Sequence, residues 1–240
     1  MNFVADTHTH TLASAHAYST ITENVAAAAA VGLKCIAMTD HFGVMPDAPH
    51  VWHFHNLVAL PRTLHGVHIL RGAEVNILDC EGNIDLTDPA LLSSLEWIVA
   101  SIHAPVFQPR NKQDCTGAYA GAAVNPAVDC IGHSESENYD FETVFRLLRD
   151  HGKLLELNNS RLLKNPRAPE RAIKMLKLAR KLDVRVIVNS DAHFHDAVGR
   201  LDASSEILRE ADFPAELVVN ADWARFHAYV DERHPDALPE

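Results

Sequence analysis

Seven short apolar, β-rich runs alternate with helix-patterned stretches along the whole chain, and this alternation restricts the fold more than any other feature of the sequence. The runs cover residues 3–5, 34–38, 67–71, 97–101, 129–131, 154–157 and 185–188. Between the first two, Thr20-Ile21-Thr22-Glu23 reads as a capping box that opens a helix through the alanine run and closes at Gly32. Helical periodicity recurs over 141–150, 170–182, 203–211 and 221–231, and the Gly-Asn turn within 79–85 predicts a small hairpin excursion. Strand–helix alternation implies parallel strands joined by right-handed crossovers. Seven such units predict a barrel-like α/β sheet slightly short of the eightfold form. At 240 residues, 47% of them hydrophobic, the chain can fill one core. One domain over 1–240, with a frayed tail over 235–240, is the expectation.

The ends of these runs carry an unusual set of side chains. His8 and His10 follow the first strand, His41 the second, Glu74 closes the third, His103 follows the fourth and His133 the fifth. Asp191 and His193 follow the seventh, and His16 lies in a loop that can fold back onto them. The sixth ends instead in Asn158-Asn159. In α/β barrels the C-terminal strand ends form the rim where active sites are built. Any one of the chain's 16 histidines would read as a core or surface residue. Together, nine imidazole and carboxylate donors on one rim read as ligands for zinc, manganese or iron. His16 and His133, being in loops, also fit a supporting role, and Asp6 and Asp40 either orient imidazoles or form turns. His53, Asn159 and Arg161 are the candidate substrate contacts, the guanidinium of Arg161 being suited to a phosphate.

A formal net charge of −11 argues against a partner such as long nucleic acid, which needs clustered Lys and Arg. It leaves room for small phosphoesters, because bound cations offset that charge locally. The four cysteines form no C-x-x-C pair, and Cys35 and Cys130 sit in apolar runs as buried thiols. With no apolar run of membrane-spanning length and no leader-like N-terminus, a cytoplasmic location is expected.

Asp6-Thr7-His8-Thr9-His10, Thr39-Asp40-His41 and Ser190-Asp191-Ala192-His193 resemble the signature motifs of the PHP (polymerase and histidinol phosphatase) superfamily. The stretches 13–20, 47–54, 72–74, 104–107 and 156–160 resemble its YcdX-like stand-alone branch. The resemblance implies a distorted (β/α)7 barrel, three divalent metal ions per chain, with zinc favoured over manganese or iron, and a homotrimeric assembly. It assigns one ion to His8, His10, Glu74 and Asp191, a second to His16, His41 and His193, and a third to His103 and His133, with Glu74 shared. Glu74, Asp191 and His193 are the implied catalytic centre. One departure stands out: relatives usually follow the fifth-strand histidine with Pro-Gly, whereas Ser134-Glu135 follows His133 here. That change is expected to bring a carboxylate near the substrate entrance.

Ions about 3.5–4 Å apart can bridge a water and lower its pKa from 15.7 to about 7. The expected activity is therefore a metal-dependent phosphatase that attacks small phosphomonoesters with a metal-bridged hydroxide. A phosphodiesterase or nuclease acting on small nucleotides and a metal-dependent amidohydrolase are the alternatives. A non-catalytic metal-binding module ranks last, because none of the nine donor positions is lost.

Overall fold

The computed structural model describes residues 1–238. Its strands are β1 (Ala5–Thr9), β2 (Cys35–Met38), β3 (Thr63–Leu64), β4 (Val67–Asn76), β5 (Trp97–Ser101), β6 (Cys130–Ile131), β7 (Leu154–Asn158) and β8 (Val186–Asn189). Seven of them run parallel in the order β1-β2-β4-β5-β6-β7-β8, and β3 adds a short antiparallel strand to β4. Helices α1 (Ile21–Ala30), α2 (Trp52–His55), α3 (Pro89–Ser94), α4 (Lys112–Val124), α5 (Phe141–Asp150), α6 (Asn159–Lys164), α7 (Ala168–Leu182), α8 (Asp202–Glu210) and α9 (Trp223–Arg233) fill the connections. This is the distorted (β/α)7 barrel expected from the sequence.

The barrel interior explains where the site lies. Ala5, Cys35, Leu70, Trp97, Cys130, Leu154 and Ile187, one from each parallel strand, pack together and are covered by Phe226, Tyr229 and Val230 of α9. Side chains two residues apart on a strand share a face. The same interior rows therefore continue as Leu70-Gly72-Glu74-Asn76, Trp97-Val99-Ser101-His103, Leu154-Glu156-Asn158 and Ile187-Asn189-Asp191. Each row is apolar at its start and polar at its C-terminal end. In β1 an extra residue lies between the pairings Asp6–Ile36 and Thr9–Met38, a bulge that shifts the phase. After it His8 and His10 take the interior face.

Two strands extend beyond their apolar runs. β1 continues through His8 and β4 through Glu74, so these two side chains lie within strands and not after them. β4 pairs with β2 over residues 68–71 and with β5 over 72–76. The changeover falls at Gly72, where a Cβ would crowd the Trp97 carbonyl and the Thr39 methyl. The expected hairpin over 79–85 is reduced to a single bridge between Ile77 and Ile84.

The barrel closes through side chains. Among the described residues, β1 and β8 share no ladder beyond an isolated bridge between Thr9 and Ala192. Asn189 Oδ1 accepts from Thr7 N and Oγ1 at 2.8 and 2.9 Å. Asn220 Nδ2 donates to the carbonyls of Ala5 and Val188, and its Oδ1 accepts from Val188 N. A buried amide thus stands in for part of a missing ladder. At the tail, expected to fray from 235, Ala237 and Leu238 are buried against the interior cluster, while Pro239 and Glu240 lie outside the described residues. No described helix is long and apolar enough to cross a membrane, and all four cysteines are free, Cys35 and Cys130 being buried as expected.

Candidate metal centre and its surroundings

The nine donors expected from the sequence gather in one cluster, in which the buried Glu74 faces five imidazoles. Its Oε2 lies 3.2 Å from His8 Nε2, 3.5 Å from His10 Nε2 and 3.0 Å from His41 Nε2. Its Oε1 lies 3.2 Å from His103 Nε2 and 3.0 Å from His133 Nε2. Asp191 Oδ1 stands 3.3 Å from His10 Nε2 and 3.4 Å from His193 Nδ1. His16 is the exposed member, its ring 4.5 Å from that of His193 and 5.1 Å from that of His41, centre to centre.

The donor set fits cations. His8 Nε2 and both ring nitrogens of His10 are buried without a hydrogen-bond partner. Leaving such atoms unsatisfied costs about 1–3 kcal/mol each. Ligand atoms at about 2.0–2.2 Å from one tetrahedral ion are separated by about 3.3 Å from each other. The separations His8–Glu74, His10–Glu74 and His10–Asp191 match that spacing. Three donors each from His8-His10-Asp191, His10-His41-His193 and His41-Glu74-His103 lie within 4.8 Å of one another. The second set implied by the family resemblance is less separate than expected, because His41 also groups with Glu74 and His103 and, together with His193, with His10.

Outer contacts fix the rings. His8 Nδ1 faces Glu156 Oε1 at 2.7 Å, and His103 Nδ1 faces Asn76 Oδ1 at 2.8 Å. Asp47 Oδ2 serves two imidazoles, His16 Nδ1 at 2.7 Å and His41 Nδ1 at 2.9 Å. Such partners select the tautomer that presents Nε2 to a cation. Sequence reading missed Glu156, Asn76 and Asp47 in this role. Period-two phase could have found the first two, since Glu156 follows Leu154 and Asn76 follows Glu74 on the interior face. Asp47 sits in an irregular loop with no such signal. Asp40 and Asp6, for which the sequence leaves imidazole orientation and turn formation both open, anchor loops, and Asp40 also faces the His53 ring. Asp40 accepts from Thr11 and Ser14, and Asp6 from the backbone of Ser190 and Gly199.

Burial keeps His10 and His133 below the ordinary histidine range, reinforced by repulsion from His41 at His10 and from the Arg161 cation at His133. The same forces, burial first, bring His193 down to about 3. Neutral imidazole is the form that ligates metals. Burial would lower His41 as well, but Glu74 and Asp47 outweigh it and raise it to about 9. Burial would raise Glu74, yet His8 and His103 hold it well below the usual carboxylate range. Two ligand positions, His133 (φ 28°) and Asp191 (φ 54°), adopt left-handed backbone, which the surrounding hydrogen bonds must stabilise. His133 N donates to Glu156 Oε2 at 2.6 Å, and Asn158 Nδ2 donates to Asp191 Oδ2 at 3.3 Å.

A pocket of about 320 Å³ lies over the cluster, walled by Met45, Ser160, Arg161 and Lys164 and by all the donors except His8 and His10. Arg161 therefore stands where the sequence placed it, and Lys164, three residues on along α6, joins it unforeseen. His53 does not reach this pocket. Its Nε2 lies 3.1 Å from Asp40 Oδ2, and it lines a separate groove with Trp52 and Leu57. Asn159 lies outside this pocket: its Oδ1 accepts from Ser204 N, and it borders the neighbouring cavity. Glu135 is fully buried, and the expected carboxylate at the entrance is absent. Glu135 Oε1 accepts from Asn158 N, and burial beside Glu156 raises its carboxyl to about 8.

Residues 6–160 match the PHP domain family, and the chain belongs to that family. A probable phosphatase of Photobacterium profundum is 42% identical over 243 residues, covering 100% of this chain and 98% of that protein. A probable phosphatase of Thermoanaerobacter sp. is 41% identical, covering 97% of this chain and 96% of that protein. Among solved structures, histidinol phosphate phosphatase from Lactococcus lactis, complexed with zinc, L-histidinol and phosphate, superimposes with a TM-score of 0.64 at 17% identity. It covers 89% of this chain and 95% of that one. A chain of an archaeal ribonuclease P complex with tRNA superimposes with a TM-score of 0.60 at 13% identity, covering 95% and 90%. The last two show a shared fold. The chain is a metal-dependent phosphatase of the PHP family, as expected at that level.

Proposed function

We propose that the chain hydrolyses small phosphomonoesters at a cluster of three divalent ions held by the nine donors. The observation that carries this reading is the position of Glu74, whose two oxygens each face a different set of imidazoles, as a bridging carboxylate requires. His8, His10, Glu74 and Asp191 would hold one ion, His41 and His193 with His16 a second, and His103 and His133 with Glu74 a third. Imidazole and carboxylate donors suit zinc, manganese or iron. Such ions supply Lewis acidity toward water and toward phosphoryl oxygens.

The chain's own contribution is placement and charge. Glu156, Asn76 and Asp47 hold His8, His103, His16 and His41 in fixed orientation. Arg161 and Lys164 set two cations at the mouth of the pocket, opposed to the overall charge of −11, where they can bind non-bridging phosphoryl oxygens. The pocket's small volume favours a terminal phosphate over a diester carrying groups on both sides.

Assays of the metal-loaded protein with a phosphomonoester, a phosphodiester and an amide test the proposal. Turnover fastest with the monoester, and lost in His10→Ala, is expected. Preferential cleavage of the diester or amide, or full monoesterase activity in His10→Ala, would overturn it.

A further inference from the structure

Beside the cluster pocket lies a second cavity of about 380 Å³, which shares Ser160, Lys164, Asp191 and His193 with it. Its lining surface is mostly apolar, with Leu163 of α6, Phe194 and Ala197 standing beside Asn159, Ser190, Asp196 and Arg200. Leu163 is 71% exposed and Phe194 48% exposed, so two large apolar side chains stand in solvent at the edge of a polar site. Exposed apolar surface beside a catalytic pocket marks a place where a ligand covers it. The two full charges farther from the cluster, Asp196 and Arg200, pair with each other.

We propose that this cavity is the leaving-group subsite, and that it selects phosphomonoesters of compact, uncharged alcohols bearing an apolar or aromatic face. The assignment rests on the phosphatase reading above. An apolar cavity of about 150 Å³ accommodates benzene, so this one holds a ring with a short side chain. Asp196 and Arg200 pair with each other, and the other charged groups of the wall, Lys164 and Asp191, are shared with the cluster pocket, so a charged leaving group finds no counter-charge of its own there. In the hydrolysis, the ester P–O bond breaks and water oxygen bonds to phosphorus. One water proton ends on the departing alcohol, which remains against Leu163 and Phe194, while orthophosphate stays beneath Arg161 and Lys164. The larger groove beside Trp52 and Leu57 shares no residue with the cluster pocket, so a short ester could not span both.

The test compares kcat/KM for benzyl phosphate and glycerol 3-phosphate in wild type, Leu163→Ala and Phe194→Ala. Magnetisation-transfer NMR of benzyl alcohol in the presence of phosphate measures occupancy without turnover. Wild type should favour benzyl phosphate by about tenfold or more, and each truncation should cut that ratio several-fold, in line with the worth of a few apolar contacts. Benzyl alcohol binding should weaken in both variants. An unchanged ratio in both variants, or no preference in wild type, overturns the subsite. If neither ester turns over but benzyl alcohol binds and is lost in the variants, the cavity assignment stands and the phosphatase reading fails.

Discussion

Glu156 Oε1 lies 2.7 Å from Nδ1 of His8, with both side chains fully withdrawn from solvent. The carboxylate also accepts from His133 N and from the amides of Asn158 and Asn189. It therefore sets the orientation of one donor and the strained backbone of another. Replacing Glu156 by Gln should weaken metal binding about 10–100-fold, the usual cost of losing such a partner. Isothermal titration of the stripped protein with zinc measures it, and wild-type affinity in the variant would contradict the role.

Asp47 bridges Nδ1 of His16 and of His41, two rings on the exposed side of the cluster. Asp47→Ala should release one ion per chain ahead of the others, since His8 and His103 keep their own partners. A chelator time course followed by elemental analysis should show one fast-leaving ion in the variant. Uniform loss of all ions would refute a local effect.

The nine donors were legible in the sequence because imidazoles and carboxylates at successive strand ends serve no packing purpose. The residues that hold them were not. Glu156 and His8 are 148 positions apart, and only the closed barrel brings them together. Helix α4 was equally hidden. Its Gly117 and Gly121 weaken the helical pattern, yet a Cβ at either would collide with the carbonyl of Cys80 or Glu81. The close approach of the 79–82 loop requires them. Strand β1 was read as ending at Ala5 because its continuation is polar, and that polar continuation is the site.

Asn220 joins β1 to β8 with three hydrogen bonds to main-chain groups. Asn220→Ala leaves those groups buried and unpaired, and should cost about 3 kcal/mol or more given about 1–3 kcal/mol for each unsatisfied group. Urea denaturation of the metal-free protein would reveal it as a lowered midpoint. A midpoint equal to that of wild type would show that the seam is held by other contacts.

Acid stability should depend on Asp129, far from the cluster. Burial would raise its carboxyl, but His234 and Arg233 outweigh that and hold its pKa below the ordinary 3.8. A depressed folded-state pKa contributes stability that is complete above the unfolded value and disappears as pH falls through the folded one. Asp129→Asn should therefore lose stability at neutral pH and show a shallower decline below about pH 4. Thermal melts at several pH values check this, and an unchanged slope would exclude Asp129 as a contributor.

The central claim is that Glu74 joins the donors into one multinuclear centre. Elemental analysis of purified wild type and Glu74→Gln, with phosphomonoesterase activity measured on the same samples, tests it most directly. About three divalent ions per wild-type chain are predicted, with both metal content and activity falling sharply together in the variant. A wild-type protein holding fewer than two ions, or a variant that keeps its metals and its activity, would contradict the account.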